Sequence, residues 1–211
     1  MSDATATATA AGAGGAAGAA PAAGPAAALA TAATPPPSVL DSASELGEFA
    51  DQIADQIESF LVVVRAVARG DAPDSAVPML LLEVSQLLLA GGRLGAVQDI
   101  VPDERFEEDP GPDPDLDELR EKLAELLKPC DNYREVFDPL AAHPELEARR
   151  ISDDIASAVS DLAHGLTHYR AGRTLEALWW WQFSYLNDWG PAASAAVRAL
   201  QSIVARSRLQ E

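Results

Sequence analysis

The chain is poor in positive charge, cysteine, histidine and aromatic side chains. Its 15 Lys and Arg face 33 Asp and Glu, a formal net charge of −18 on 211 residues. So few bases cannot neutralise a phosphate backbone, so no direct nucleic-acid binding is expected. One cysteine, Cys130, excludes an intramolecular disulfide framework and suits a reducing compartment, and the chain is expected to be cytoplasmic. There is no glycine-rich phosphate loop, no G-x-S-x-G elbow and no CxxC pair. No stretch of roughly 18 uncharged apolar residues is present, so no membrane contact is expected. None of these absences names a reaction.

What is present is unevenly spread. Residues 1–40 hold 18 Ala and a single charge, Asp3. Gly and Pro interrupt every alanine run, and one Leu with no aromatic cannot offset the entropy of ordering. A disordered tail ending in the stiff Pro35-Pro36-Pro37 is expected, and Asp3 ahead of a weakly apolar tract does not fit a secretory signal. Residues 41–148 carry 26 acids and 8 bases, whereas 149–211 carry 6 and 7, so the acidity lies in the first two-thirds of the folded part. Residues 41–208 are expected to form one helical domain.

Hydrophobic spacing predicts five or six helices and no convincing strand, an all-α bundle. The first helix runs from about Ser42 to Arg69, with Ser42 and Glu45 at capping-box spacing and Gly70 past its end. Its apolar stripe is Phe49, Ile53, Ile57, Phe60, Leu61, Val64 and Val67; Glu48, Asp51, Asp55 and Glu58 occupy the other side. A second, mostly buried helix is capped by Asp74, spans 75–90, and is expected to stop at Gly91-Gly92. An acidic, Pro-rich loop follows at about 97–115, then a third helix over 116–128. Residues 131–147 read as a helical turn around Tyr133, Val136 and Phe137, then loop. The fourth helix starts at Ser152 as cap, with Asp153 and Asp154 in its first turn, and ends before Gly172. The fifth begins at Thr174, and Gly190-Pro191 breaks or kinks the chain before a sixth.

The C-terminal third carries a recognisable pattern. Ile151-Ser152-Asp153-Asp154-Ile155, the run from Leu162 to Gly172, Glu176-Ala177-Leu178-Trp179-Trp180-Trp181-Gln182-Phe183 and Asp188-Trp189-Gly190 together resemble the domain of unknown function 5063 family, common in actinobacteria and other bacteria. The resemblance extends over about 50–205 and is densest at 151–204. It implies an all-helical fold and supplies no chemistry.

Asp161, His164 and His168 form the sharpest local pattern. Their spacing puts two imidazoles and a carboxylate on one helix face, where a divalent metal needs a further ligand such as Glu176 or Asp188. The bland alternative is an exposed polar face. Glu45, Glu48 and Asp51 resemble half of a helical magnesium site, but the second helix adds only Glu83. Asp153-Asp154 lacks the third acid of a DDxxD motif, since Ser157 stands there. Cys130 has no companion thiol or assured base. Three consecutive Trp sweep about 200° of helix surface, so they cannot share one face. Trp181, Tyr185 and Trp189 line one stripe, and Leu175, Trp179 and Phe183 another. A pocket for a small ligand or partner is placed at Trp180, Trp181, Tyr185 and Trp189, against the commoner outcome that these rings are core.

These features point to a non-enzymatic protein-interaction module whose acidic 41–148 stretch faces solvent or a basic protein surface. No cofactor is expected. A metal-dependent enzyme using Asp161, His164 and His168, and a small-ligand binder, are the alternatives.

Overall fold

The computed structural model describes residues 43–102, 114–136 and 138–209. The expected disordered tail, the Ser42 cap, Phe137 and most of the acidic loop lie outside the described residues. Those described all belong to one compact unit.

Helix α1, Ala43–Ala68, ends as expected at Gly70, whose φ of 77° is in the left-handed region that glycine tolerates. A short 3₁₀ turn, Pro73–Ser75, leads into α2, Ala76–Ala96. Asp74 does not cap α2 as expected from sequence: it lies within the 3₁₀ turn, and Ser75 holds the cap position with no side-chain cap hydrogen bond. Nor does α2 stop at Gly91-Gly92. It continues to Ala96, because the rings of Tyr185 and Trp189 lie where a Gly91 side chain would be, the Trp189 ring 2.6 Å from the site of an added Cβ. Gly91 is there for close approach, not for termination. By length and composition Pro73–Ala96 would suffice to cross a membrane, which the sequence did not lead us to expect; about a third of its most apolar window is buried.

Helix α3, Pro114–Leu126, starts on a proline, whose missing amide costs nothing in a first turn. The segment after it is a correction. Asn132–Val136 (β1) and Leu146–Arg150 (β2) form an antiparallel hairpin in the register Asn132↔Arg150 to Val136↔Leu146. Its residues are mostly exposed or half-buried, so neither face needs the apolar alternation by which strands are recognised.

Helix α4, Ile151–Arg170, starts one residue before the predicted cap. Ser152 is buried in the first turn, and the cap comes from Asp131 at the foot of the hairpin. Asp131 accepts the Ser152 amide at 2.8 Å, the Ser152 hydroxyl at 2.9 Å and Arg150 Nε at 3.0 Å, while its carbonyl accepts the Ile151 amide at 3.0 Å. Asp154 is likewise buried and accepts Arg149 and, at 2.5 Å, the Tyr133 hydroxyl. Burial and this carboxylate push the Tyr133 hydroxyl above its ordinary range, so it remains a donor.

Helix α5, Thr174–Ser184, passes through a π-turn, Tyr185–Trp189, directly into α6, Gly190–Leu209. Gly190-Pro191 therefore does not break the chain: the wider turn absorbs the proline, and Gly190 lies against the Tyr185 carbonyl. Helix α1 packs on α2, α2 on α6, and α4 on α3, α5 and α6. Their common core includes Ile53, Phe60, Leu80, Leu87, Leu123, Ile155, Leu162, Trp181, Trp189 and Leu200.

Candidate functional site

The aromatic helix α5 sends its three consecutive indoles in three directions. Trp181 points inward and is fully buried. It crosses α4 at Gly165, where any Cβ would collide with its Nε1, and it donates to the Leu162 carbonyl at 3.2 Å. Trp189 is also fully buried and donates to the Trp181 carbonyl at 3.3 Å. Tyr185, its ring 4.8 Å from that of Trp189, is wedged over Gly91 and Gly95 of α2. Each buried indole is worth about 5 kcal/mol of transfer free energy. Of the four rings assigned to a pocket, Trp181 and Trp189 are thus core, because glycines on α4 and α2 open the space for them. Gln182 does not serve the indoles. Its amide donates to the Leu94 carbonyl at 2.8 Å and accepts the Ile100 amide at 2.9 Å, fixing the chain where it leaves α2.

The outward stripe is the other one. Leu175, Trp179, Phe183 and Leu186 follow one another at helical spacing, and Phe183 and Leu186 are 46% and 56% exposed. Trp179 stacks on Phe183 with centroids 5.7 Å apart and meets Trp180 edge-on at 6.2 Å. Trp180 donates to the Asp161 carbonyl at 2.9 Å and lies 4.4 Å from the His164 ring. The same spacing argument separates the two stripes in sequence. Which of them faces inward depends on Gly165 and Gly91, two residues whose role is visible only in three dimensions.

The Asp161–His164–His168 face is neither the open polar surface nor the metal cluster considered above. His168 is buried, and Asp161 and His164 are half-buried beneath Trp180. Asp161 Oδ2 accepts no hydrogen bond among the described residues. Burial, with the nearby Asp188 charge, pushes the Asp161 carboxyl up to about 7, partly offset by His164. Among the described residues no three His, Cys, Asp or Glu are grouped so as to hold a metal ion. The geometry therefore gives no support to a metal-dependent active site at this face.

The remaining candidates separate in space. Asp51 turns toward α4, where it accepts the Tyr169 hydroxyl at 2.5 Å. Glu45 and Glu48 instead line a cleft of about 360 Å³ with Phe49, Gln52, Arg93, Ala96 and Val97. Arg93 donates to Gln52 at 2.6 Å and lies over the Phe49 ring. Glu83 is buried within α2. Asp153 is half-exposed near Arg120 and Arg150, while Asp154 is consumed by the hairpin. The Cys130 thiol is pushed up by burial and by Asp131, which makes it a poor nucleophile.

In fold, the chain is similar to the crystal structure of protein BF1032 from Bacteroides fragilis. The two share 17% identity over 72% of this chain and 89% of that one, with a TM-score of 0.58. No curated protein matches the chain. The family profile described as "Domain of unknown function (DUF5063)" matches residues 44–206, almost all of the described structure, and the chain belongs to that family.

Proposed function

We propose that the protein is a non-enzymatic interaction module that docks a cationic segment of a partner protein on the outer face of α5. The observation that carries this reading is the exposed Phe183 stacked on half-buried Trp179, between exposed Leu175 and Leu186. Aromatic side chains surrounded by a polar rim are the usual anchors of protein interfaces. The rim here is acidic: Glu176 sits one turn before Trp180 on the same side of the helix, and exposed Asp188 lies toward the helix's other end. Indole and phenyl faces attract guanidinium and ammonium groups, and carboxylates at the border strengthen that preference. The acidic stretch of α1 adds long-range attraction for the same kind of partner.

The test is capture from the source cell on immobilised full-length chain, wild type against the Trp179→Ala/Phe183→Asp variant. Basic proteins held by the wild type, released by salt and lost from a variant with unchanged far-ultraviolet circular dichroism support the reading. Equal retention by both chains refutes it. A second reading, a small-ligand binder, is supported by the cleft at Glu45, Phe49 and Arg93, whose volume lies at the lower end of ligand pockets.

A further inference from the structure

We infer that the cationic group docked on α5 is an N-methylated lysine side chain of the partner protein, held by Glu176, Trp179, Trp180 and Phe183. The inference rests on the docking reading above and names the chemistry of its anchor. These four residues stand at i, i+3, i+4 and i+7, so they share one face of α5. The ring centroids form a nearly regular triangle, 5.7 Å from Trp179 to Phe183, 6.2 Å from Trp179 to Trp180 and 6.5 Å from Trp180 to Phe183. Trp179 and Phe183 are within 23° of parallel, whereas Trp180 crosses them at 68° and 46°. The three rings thus make a corner, and a cation seated over it lies within about 6 Å of every centroid, the range of cation–π attraction. Trp180 is held by α4: its Nε1 donates to the Asp161 carbonyl at 2.9 Å, and the His164 ring lies 4.4 Å away. A ring fixed before binding costs little further ordering.

The occupant is selected by what this face offers. Glu176 is half-buried and makes no hydrogen bond or ion pair among the described residues. A carboxylate so placed beside three aromatic rings favours a cation over an anion or a neutral apolar group. It is also the one acceptor among the four side chains, since an indole only donates and a phenyl ring does neither. An unmethylated ammonium brings three donors and a guanidinium five, so a single carboxylate leaves most of them stripped of water and unpaired. Methylation removes the donors, keeps the charge and lays methyl groups on the ring faces, as in other aromatic cages. That the group is carried on a chain follows from its surroundings. Exposed Leu175 and Leu186 flank the corner about 16 Å apart along the helix, too far for a free ammonium of a few atoms to cover both. The side chains next to a methylated lysine reach them.

Calorimetric titration of the full chain at constant ionic strength tests this, with the indole N–H resonances as a second readout. The probe is a short peptide of leucine and serine around one central lysine, unmethylated or trimethylated. The trimethylated peptide is expected to bind about tenfold tighter or more, and to shift the Trp180 indole resonance. Glu176→Gln removes the charge at constant size, and Phe183→Leu removes the ring but keeps an apolar side chain. Each is expected to lower that affinity about fivefold or more with circular dichroism unchanged. Equal affinity for the two peptides overturns the inference, as does binding indifferent to both variants, or no binding at all. Basic proteins captured through α5 while the two peptides bind alike leave the docking reading standing and overturn this inference alone. Choline bound as tightly as the trimethylated peptide overturns it in favour of a free quaternary ammonium.

Discussion

At the scale of single residues, small side chains decide where the large ones go. Gly91 and Gly165 each lie beneath an aromatic ring, and a methyl group at either would sit inside that ring's van der Waals surface. Replacing Gly91 with Ala gains roughly 1 kcal/mol of helix propensity. The gain is outweighed by overpacking of about 1–3 kcal/mol, so Gly91→Ala is expected to lower stability. Gly47, within α1, has nothing within 4 Å of an added Cβ, and Gly47→Ala is expected to raise stability by about 0.5–1 kcal/mol. Urea unfolding of the two variants measures both signs. The same glycines explain a misreading: Gly91-Gly92 has the composition of a helix stop, and only the opposing rings show that the helix passes through.

Asp161 makes a second residue-scale prediction. Its carboxyl rises from an ordinary 3.8 to about 7 on folding, because burial and Asp188 disfavour the ionised form. The folded chain thus binds this proton more tightly than the unfolded chain, and stability falls as pH rises from about 4 to about 7. Asp161→Asn is expected to flatten that slope and to be more stable than the wild type at pH 8, with the difference closing by pH 4. Melting temperatures across this range give the answer. A wild type and variant with parallel pH profiles would remove Asp161 as the source.

At the scale of elements, the hairpin exists to hold α4. Two short strands with little buried surface have no independent stability, yet they deliver Asp131 to the start of the helix and Tyr133 with Arg149 to Asp154. Truncation in Asp131→Ala strips the partner from a buried amide, a buried hydroxyl and Arg150. A loss of about 3–5 kcal/mol is expected, and less for Asp131→Asn, which keeps an acceptor. Chemical denaturation measures it. From sequence, the two aspartates at 153–154 read as dipole partners and Ser152 as the cap; both aspartates do lie in the first turn, but Ser152 is not the cap, and Asp131 and Asp154 are tied to the hairpin. Their real partners are distant in sequence, and such pairing leaves no periodic signal. The long helices were legible for the opposite reason: a repeating apolar stripe is local, and Ile53, Ile57, Phe60 and Val64 are buried as spaced.

At the scale of the whole molecule, charge is the dominant fact. A chain of net charge −18 repels itself, and its stability is expected to rise with monovalent salt up to roughly 0.5 M as repulsion is screened. Salt should at the same time weaken capture of a cationic partner by α5. A salt series on melting temperature and partner binding separates the two effects, and binding that strengthens with salt would argue against the cationic partner. The candidate site was half legible at this scale. Sequence placed aromatic side chains in α5, but it set the pocket on Trp180, Trp181, Tyr185 and Trp189 and the basic partner on the acidic 41–148 stretch, and it did not tell which stripe of rings meets solvent.

The π-turn at Tyr185–Trp189 has a consequence for chain length. A π-turn holds one residue more than an α-helical turn, so it sets the phase between the indole-bearing half of the long helix and the alanine-rich half that packs on α2 and α4. Deleting that extra residue would restore a regular helix with its two halves still in phase, whereas deleting one residue from the regular turns on either side would rotate everything beyond it by about 100°. In that second case Ala193, Ala196 and Leu200 would leave their places in the core although no apolar side chain need have been removed. The π-turn, with its exposed Leu186, is thus the place in the long helix where the omission of one residue is expected to be tolerated best: elsewhere the element counts residues as well as reading them.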